Sequence, residues 1–192
     1  MVQAERMNGL IRDVDEAGFL SEGHFAFRSG QHALRLLDRD RLLCDTQLAS
    51  RMGYAMAKHF FLSRIDIVAA PSVWGAGLAQ WVGYFLDPRR PVIYPIPANG
   101  HYTFSDSSKE MIDGKRVLVI DNLILSGKTA QELVQTITAN GGTPIGIGAL
   151  ADLSGIDFPI AVHGLLNEHL TIHAPDGCPA CAAGMPLTEV GY

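Results

Sequence analysis

The segment Arg116–Thr129, RVLVIDNLILSGKT, constrains the fold of this chain more than any other. Val117, Leu118, Val119 and Ile120 form an unbroken apolar run, three of them β-branched, which ends in Asp121-Asn122. Such a run fits a strand buried on both faces of a parallel sheet. The chain then turns through Ser126-Gly127-Lys128-Thr129 into helical sequence from Ala130 to Ala139. That turn brings free backbone N–H groups and a helix N-terminus to one point, where an anion, above all a phosphate, is stabilised.

The rest of the chain alternates in the same way. Thr46 to Phe60 places Leu48, Met52, Ala55, Met56 and Phe60 on one helical face. Ile65 to Ala70 reads as a buried strand and Gly75 to Leu86 as the helix after it. Pro91 to Ile96 and Pro144 to Leu150 supply a third and a fourth strand. The loop Ala70 to Gly77 is a second place where small residues let a ligand approach the backbone. Near the start, Ala4 to Ala17 carries Met7, Leu10, Ile11 and Val14 at helical spacing, and Phe25 and Phe27 alternate before a Ser29-Gly30 turn, predicting a short hairpin. Asn99-Gly100 reads as a tight hairpin turn. Strands alternating with helices predict an α/β fold, with a central, mainly parallel sheet flanked by helices and ligands beyond the carboxyl ends of its strands.

Two nucleotide chemistries use a strand, a small-residue loop and a helix. A P-loop requires a glycine five positions before Gly127, and Asn122 stands there. The arrangement instead resembles the phosphoribosyl-pyrophosphate motif of type I phosphoribosyltransferases, with an acidic strand end, two aliphatic residues and a hydroxyl-Gly-x-Thr loop. The resemblance implies that Asp121 and Asn122 face the ribose hydroxyls, with Asp121 toward a metal, and that Leu125, Ser126, Gly127, Lys128 and Thr129 hold the 5′-phosphate. Three residues depart from the family pattern: an amide at Asn122, an aliphatic at Leu125 and a lysine at Lys128. That lysine either adds charge to the phosphate or blocks it.

Three further stretches resemble the same family in the same order. GHFAFRSGQHA, residues 23–33, is similar to the hood segment of orotate phosphoribosyltransferases, implying that Arg28, Ser29 and Gly30 line a base pocket. Gly75-x-Gly77-Leu78-Ala79, with Ser72 before it, resembles the loop that binds pyrophosphate. CPACAAGMPL, Cys178 to Leu187, looks like a C-terminal segment of one branch of these enzymes. The family's mobile loop carries several basic residues, whereas here no Lys or Arg occurs between Arg90 and Lys109, leaving His101 as a candidate cation.

At 192 residues the chain accommodates one well-buried domain, with a small N-terminal hood drawn mainly from residues 1–40 and the C-terminal tail. Charged residues make up 18% and the net charge is −5, so no basic footprint for nucleic acid exists. No apolar run of about 18 residues is present, and MVQAERMNGL carries charges where a signal peptide needs an apolar core, so neither a membrane nor export is expected and the compartment is read as cytoplasmic. Cys178 and Cys181 supply only half of a structural zinc site, and the expectation is two free thiols.

Taken with the resemblance, these features predict an orotate-type transfer of phosphoribose from phosphoribosyl pyrophosphate to a pyrimidine base. Magnesium would accompany the pyrophosphate, Asp121, Asn122, His101 and Lys128 would be the catalytic candidates, and a homodimer would pair near the first glycine loop. A catalytically inactive relative that binds a nucleotide or phosphoribosyl ligand is the alternative.

Overall fold

A computed structural model describes residues 12–98, 101–167 and 170–191. Its central sheet has five strands in the order β11-β9-β7-β3-β4: β3 (Ile67–Ala69), β4 (Val92–Ile93), β7 (Arg116–Ile120), β9 (Thr143–Ala149) and β11 (Val162–Gly164). Every pairing in it is parallel. Val117 to Ile120 are fully buried, as an apolar run must be when helices cover both faces. One face packs against α2 (Thr46–His59) and α3 (Val73–Phe85) through Met52, Met56, Leu78 and Val82. The other packs against α4 (Asp106–Ile112) and α5 (Lys128–Ala139) through Ile112, Leu133 and Ile137. Helix α1 (Arg39–Cys44), capped by Asp38, leads into α2, capped by Asp45.

The hood is a separate four-stranded sheet in the order β12-β2-β1-β13. Strands β1 (Leu20–Ala26) and β2 (His32–Leu37) form the expected hairpin, closed by a turn in which the Gly30 N–H donates to the Phe27 carbonyl. β12 (Ile172–His173) adds to β2 and β13 (Thr188–Glu189) to β1, so the two ends of the chain share one sheet. Val14, Phe19, Leu20 and Leu37 join the same buried cluster as α2, α3 and the central sheet. Residues 12–16 are helical, and Met7, Leu10 and Ile11 of the predicted first helix lie outside the described residues.

Several boundaries differ from expectation. α3 starts at Val73, two residues early, because the Ser72 hydroxyl accepts from the Gly75 N–H and caps it. Gly75 and Gly77 therefore sit within the helix rather than in an open loop. Only Val92 and Ile93 of the third strand join the central sheet; Ile96 instead begins β5 (Ile96–Ala98), which pairs antiparallel with β6 (His101–Thr103). The predicted turn Asn99-Gly100 lies outside the described residues, between the Ala98↔His101 pair that flanks it. β11 and the short parallel pair β8 (Leu123–Ile124) and β10 (Ala151–Asp152) were not foreseen, having no apolar run of strand length.

The contact between α2 and α3 sets a sign test on glycine. A Cβ on Gly53 would collide with Trp81 Cβ and stand 3.1 Å from the Trp81 backbone, which cannot give, whereas one on Gly77 would meet nothing within 4 Å. Helix propensity alone favours alanine at both by about 1 kcal/mol. Gly77→Ala should accordingly stabilise by up to about 1 kcal/mol, and Gly53→Ala should destabilise by about 1 to 3 kcal/mol through overpacking. Urea unfolding of both variants checks the opposite signs.

Candidate active site

The backbone of β7 runs straight into the site. The Asp121 N–H donates to the Gly148 carbonyl and the Leu150 N–H to the Asn122 carbonyl, so β9 fixes both residues beyond the last regular pair of the strand. Asp121 is buried, 5% exposed, and its Oδ1 accepts from the Asn122 N–H at 2.8 Å and from the Ser72 hydroxyl at 3.4 Å. The two strand-to-helix turns thus meet at one carboxylate. Gly75 permits the approach, since a Cβ there would stand 2.9 Å from the Ile120 carbonyl oxygen and 3.3 Å from Asp121 Oδ1. Asn122 is equally buried: its Oδ1 accepts from the Leu123 N–H at 2.7 Å, while its Nδ2 has no hydrogen-bond partner. That nitrogen is one of four buried side-chain atoms without a hydrogen-bond partner among the described residues, and Asn122 itself does not line the adjacent cleft.

Beyond this pair a cleft of about 190 Å³ is lined by Asp121, Leu125, Ser126, Gly127, Thr129 and Ala130, among others. Gly127 has φ +70°, in the region that favours glycine, and serves as N-cap of α5 without a side-chain cap. The opening N–H groups of this 12-residue helix therefore face the cleft with the positive end of its dipole. Lys128 is exposed and is not among the lining residues.

Side chains that the motif did not announce complete the surroundings. Tyr102, on β6, bonds Thr129; its phenol is pushed above its ordinary value by burial and by the charges of Asp121 and Glu132, with the Thr129 bond pulling the other way. Glu132 Oε1 accepts from the Tyr102 N–H at 2.8 Å and lies 3.6 Å from His101 Nδ1. His101 is therefore held beside a carboxylate, on the exposed side of the hairpin. Arg39, at the start of α1, stacks over Trp74 at 5.5 Å and is the cation whose field reaches Asp121. No spacing rule marks Arg39 or Tyr102; only the fold brings them here. Arg28, Ser29 and Gly30 form the exposed tip of the hood hairpin, where Ser29 bonds Gln31.

Comparison with known proteins agrees with this geometry. No family model matches the chain. Orotate phosphoribosyltransferase of Thermus thermophilus is 30% identical over 175 residues, covering 90% of this chain and 94% of that protein. The chain belongs to the orotate phosphoribosyltransferase family. The family's enzyme from Thermotoga maritima is 25% identical over 185 residues, 95% of this chain and 97% of its own. Among solved structures, orotate phosphoribosyltransferase of Mycobacterium tuberculosis in complex with inorganic phosphate superposes with a TM-score of 0.64 at 17% identity, over 84% of this chain and 95% of its own. UMP synthase of Leishmania donovani gives 0.67 at 20% identity, over 82% of this chain and 35% of its own. The fold is that of the type I phosphoribosyltransferases.

Within this family fold the electrostatics of Asp121 have a measurable cost. Burial pushes its carboxyl from 3.8 up to about 6, against the opposing pull of the Asn122 and Ser72 hydrogen bonds and of Arg39. A folded-state value above the unfolded one means that stability is fullest below the unfolded value and is lost as pH rises through about 6. Keeping this carboxylate charged at neutral pH costs on the order of 3 kcal/mol. Asp121→Asn, which retains an acceptor toward Asn122 and Ser72, should raise the thermal midpoint of the ligand-free protein at pH 8. The gain should fade between pH 6 and pH 4, as followed by circular dichroism melts across that range.

Proposed function

We propose that this protein transfers a 5-phosphoribosyl group from phosphoribosyl pyrophosphate to a ring nitrogen of a pyrimidine base. In that reaction the nitrogen forms a bond to the anomeric carbon, the bond from that carbon to the pyrophosphate oxygen breaks, and pyrophosphate leaves with the electron pair. The observation that carries the reading is the cleft of about 190 Å³ shared by a buried carboxylate and a helix N-terminus without a side-chain cap. The N–H groups at the start of α5 and the hydroxyls of Ser126 and Thr129 would take the 5′-phosphate, and Asp121 with the unpartnered Asn122 amide would take the ribose hydroxyls. The turn of Ser72, Gly75 and Gly77 before and within α3 would take the pyrophosphate beside Asp121.

Magnesium fits this donor set as a partner of substrate oxygens rather than as a resident ion. Asp121 is a lone carboxylate, and magnesium is commonly held by one or two carboxylates plus substrate phosphates. When bound it neutralises the charge that develops on the leaving pyrophosphate. Exposed apolar side chains on α3, Val73, Trp74 and Tyr84, support a homodimer through this helix, expected as twice the chain mass in light scattering at micromolar concentration. The shared core cluster of hood and central sheet supports treating residues 1–192 as one domain.

A second reading has its own observation. The β5–β6 hairpin carries no Lys or Arg, and its exposed histidine lies 3.6 Å from a Glu132 oxygen, so the hairpin offers a leaving pyrophosphate little charge. An inactive homologue that retains a phosphoribosyl ligand would show this pattern.

Incubation with magnesium, phosphoribosyl pyrophosphate and a panel of pyrimidine and purine bases separates the two. Pyrophosphate release with a pyrimidine is expected, at a rate below the typical enzyme value of about 10 per second. Asp121→Asn should lower it by about 10²-fold or more. Asn122→Asp can keep the bond to Leu123 while adding a second carboxylate, and should raise it. Binding without release on any base would establish the inactive homologue instead.

A further inference from the structure

The Cys178-Pro179-Ala180-Cys181 pair, half of a metal site by sequence, meets the other half in the folded chain. His24 on β1 and His32 on β2 converge on the two sulfurs, and the four donor atoms all lie within 4.8 Å of one another. His24 Nε2 is 3.0 Å from His32 Nδ1 and 3.5 Å from each sulfur, and Cys181 Sγ is 3.2 Å from His32 Nδ1. Metal–sulfur bonds of about 2.3 Å and metal–nitrogen bonds of about 2.0 to 2.1 Å define a tetrahedron whose edges run from about 3.3 to 3.8 Å. The four separations just given, 3.0 to 3.5 Å, lie close to those edges, and the remaining pairs lie within 4.8 Å. We propose that His24, His32, Cys178 and Cys181 bind one zinc ion as a structural site that fastens the C-terminal tail to the hood hairpin.

The surroundings favour metal over a bare hydrogen-bonded cluster. The Met185 carbonyl stands 3.0 Å from His24 Nδ1 and can only accept, so that nitrogen carries the proton and Nε2 presents its lone pair to the cluster. Backbone geometry sets this second contact: the Met185 N–H donates to the Ala180 carbonyl and Gly184 turns with φ +64°, folding the chain after α6 (Pro179–Ala182) back over His24. A bulge between Glu22 and Phe25 sits at His24, where such irregularities re-aim a side chain. His24, His32 and Cys178 are buried, and two thiolates with two neutral imidazoles exactly balance a divalent cation's charge, which suits a site with little water. A tetrahedral set of two sulfurs and two nitrogens selects zinc among common divalent ions.

The proposal also supplies what the hood otherwise lacks. β12 and β13 contribute two residues each, and β13 is exposed, so backbone pairing holds them weakly. One ion would join residues separated by up to 157 positions. His24 and His32 flank the hairpin tip, so the same ion would fix the base of the turn that carries Arg28.

The full chain, purified without a metal-affinity tag under reducing conditions from zinc-supplemented medium, should contain about one zinc per chain by mass spectrometry of the metal. Cys181→Ser, which alters the one exposed ligand, should hold less than about a tenth of that, while Cys44→Ser, at an exposed thiol outside the cluster, should keep it. Cobalt in place of zinc should give tetrahedral visible bands and a thiolate charge-transfer band in the wild type, both lost in Cys181→Ser. A strong chelator should lower the thermal midpoint of the wild type and leave that of Cys181→Ser unchanged. Wild-type protein that takes up neither zinc nor cobalt, a Cys178–Cys181 disulfide that persists under reduction, or full zinc occupancy in Cys181→Ser would each overturn the site.

Discussion

One buried carboxylate organises the molecule. Asp121 sits where β7 ends, with β9 holding its backbone and the capped turn before α3 pressed against its side chain. A charge in that place is unfavourable in the ligand-free protein, because burial outweighs the hydrogen bonds and the field of Arg39. The parallel sheet makes the position possible: carboxyl ends of adjacent strands β3 and β7 deliver two turns to the same edge, and glycine at position 75 lets them touch. Strain of this kind is commonly retained at functional sites, where a ligand's hydroxyls or cations offset it.

The charges around the cleft are arranged unevenly. Arg39 is the cation that reaches Asp121, and it comes from the hood side, stacked on Trp74. Glu132, on α5, takes the Tyr102 N–H and stands beside His101, so the β5–β6 hairpin packs against an acid and brings no Lys or Arg of its own toward the site. Binding of the sugar phosphate can rest on backbone N–H groups, which carry no net charge, but stabilisation of a departing pyrophosphate cannot. In the proposed reaction, then, recognition and rate depend on different parts of the chain, and the weaker of the two is the rate.

How much of this could be read beforehand depended on how locally each feature is encoded. The buried strand of residues 117–120, its acidic end and the glycine turn lie within fourteen consecutive residues, and double-sided burial writes itself as an apolar run. β11 escaped notice because Val162, His163 and Gly164 are only partly buried at a sheet edge and need no such run. Lys128 holds its place in the motif by sequence, and because a helix turns successive residues by about 100°, Thr129 and Ala130 line the cleft while Lys128 is exposed beside it. Arg39 and Tyr102 reach Asp121 only through tertiary placement. The cysteine pair was visible at its short spacing, whereas its histidines lie some 150 positions away and only the shared hood sheet brings them near.

That hood sheet is also where the fold depends least on an apolar core. The hairpin β1–β2 is anchored by Phe19, Leu20 and Leu37 at its open end, inside the cluster that contains Met52, Leu78 and Leu118. Its tip has less such support: Phe27 and Ala33 are buried beside it, but Arg28, Ser29 and Gly30 are exposed, and the strands added on either side are two residues long. Hydrophobic burial therefore secures the open end of the hairpin more than the tip, where polar groups add to Phe27 and Ala33. Four side chains with lone pairs directed at one point are a poor way to do so by hydrogen bonds alone, since donors are short among them. They suit a cation, which satisfies all four at once and leaves the tip fixed relative to the core on which the cleft is built.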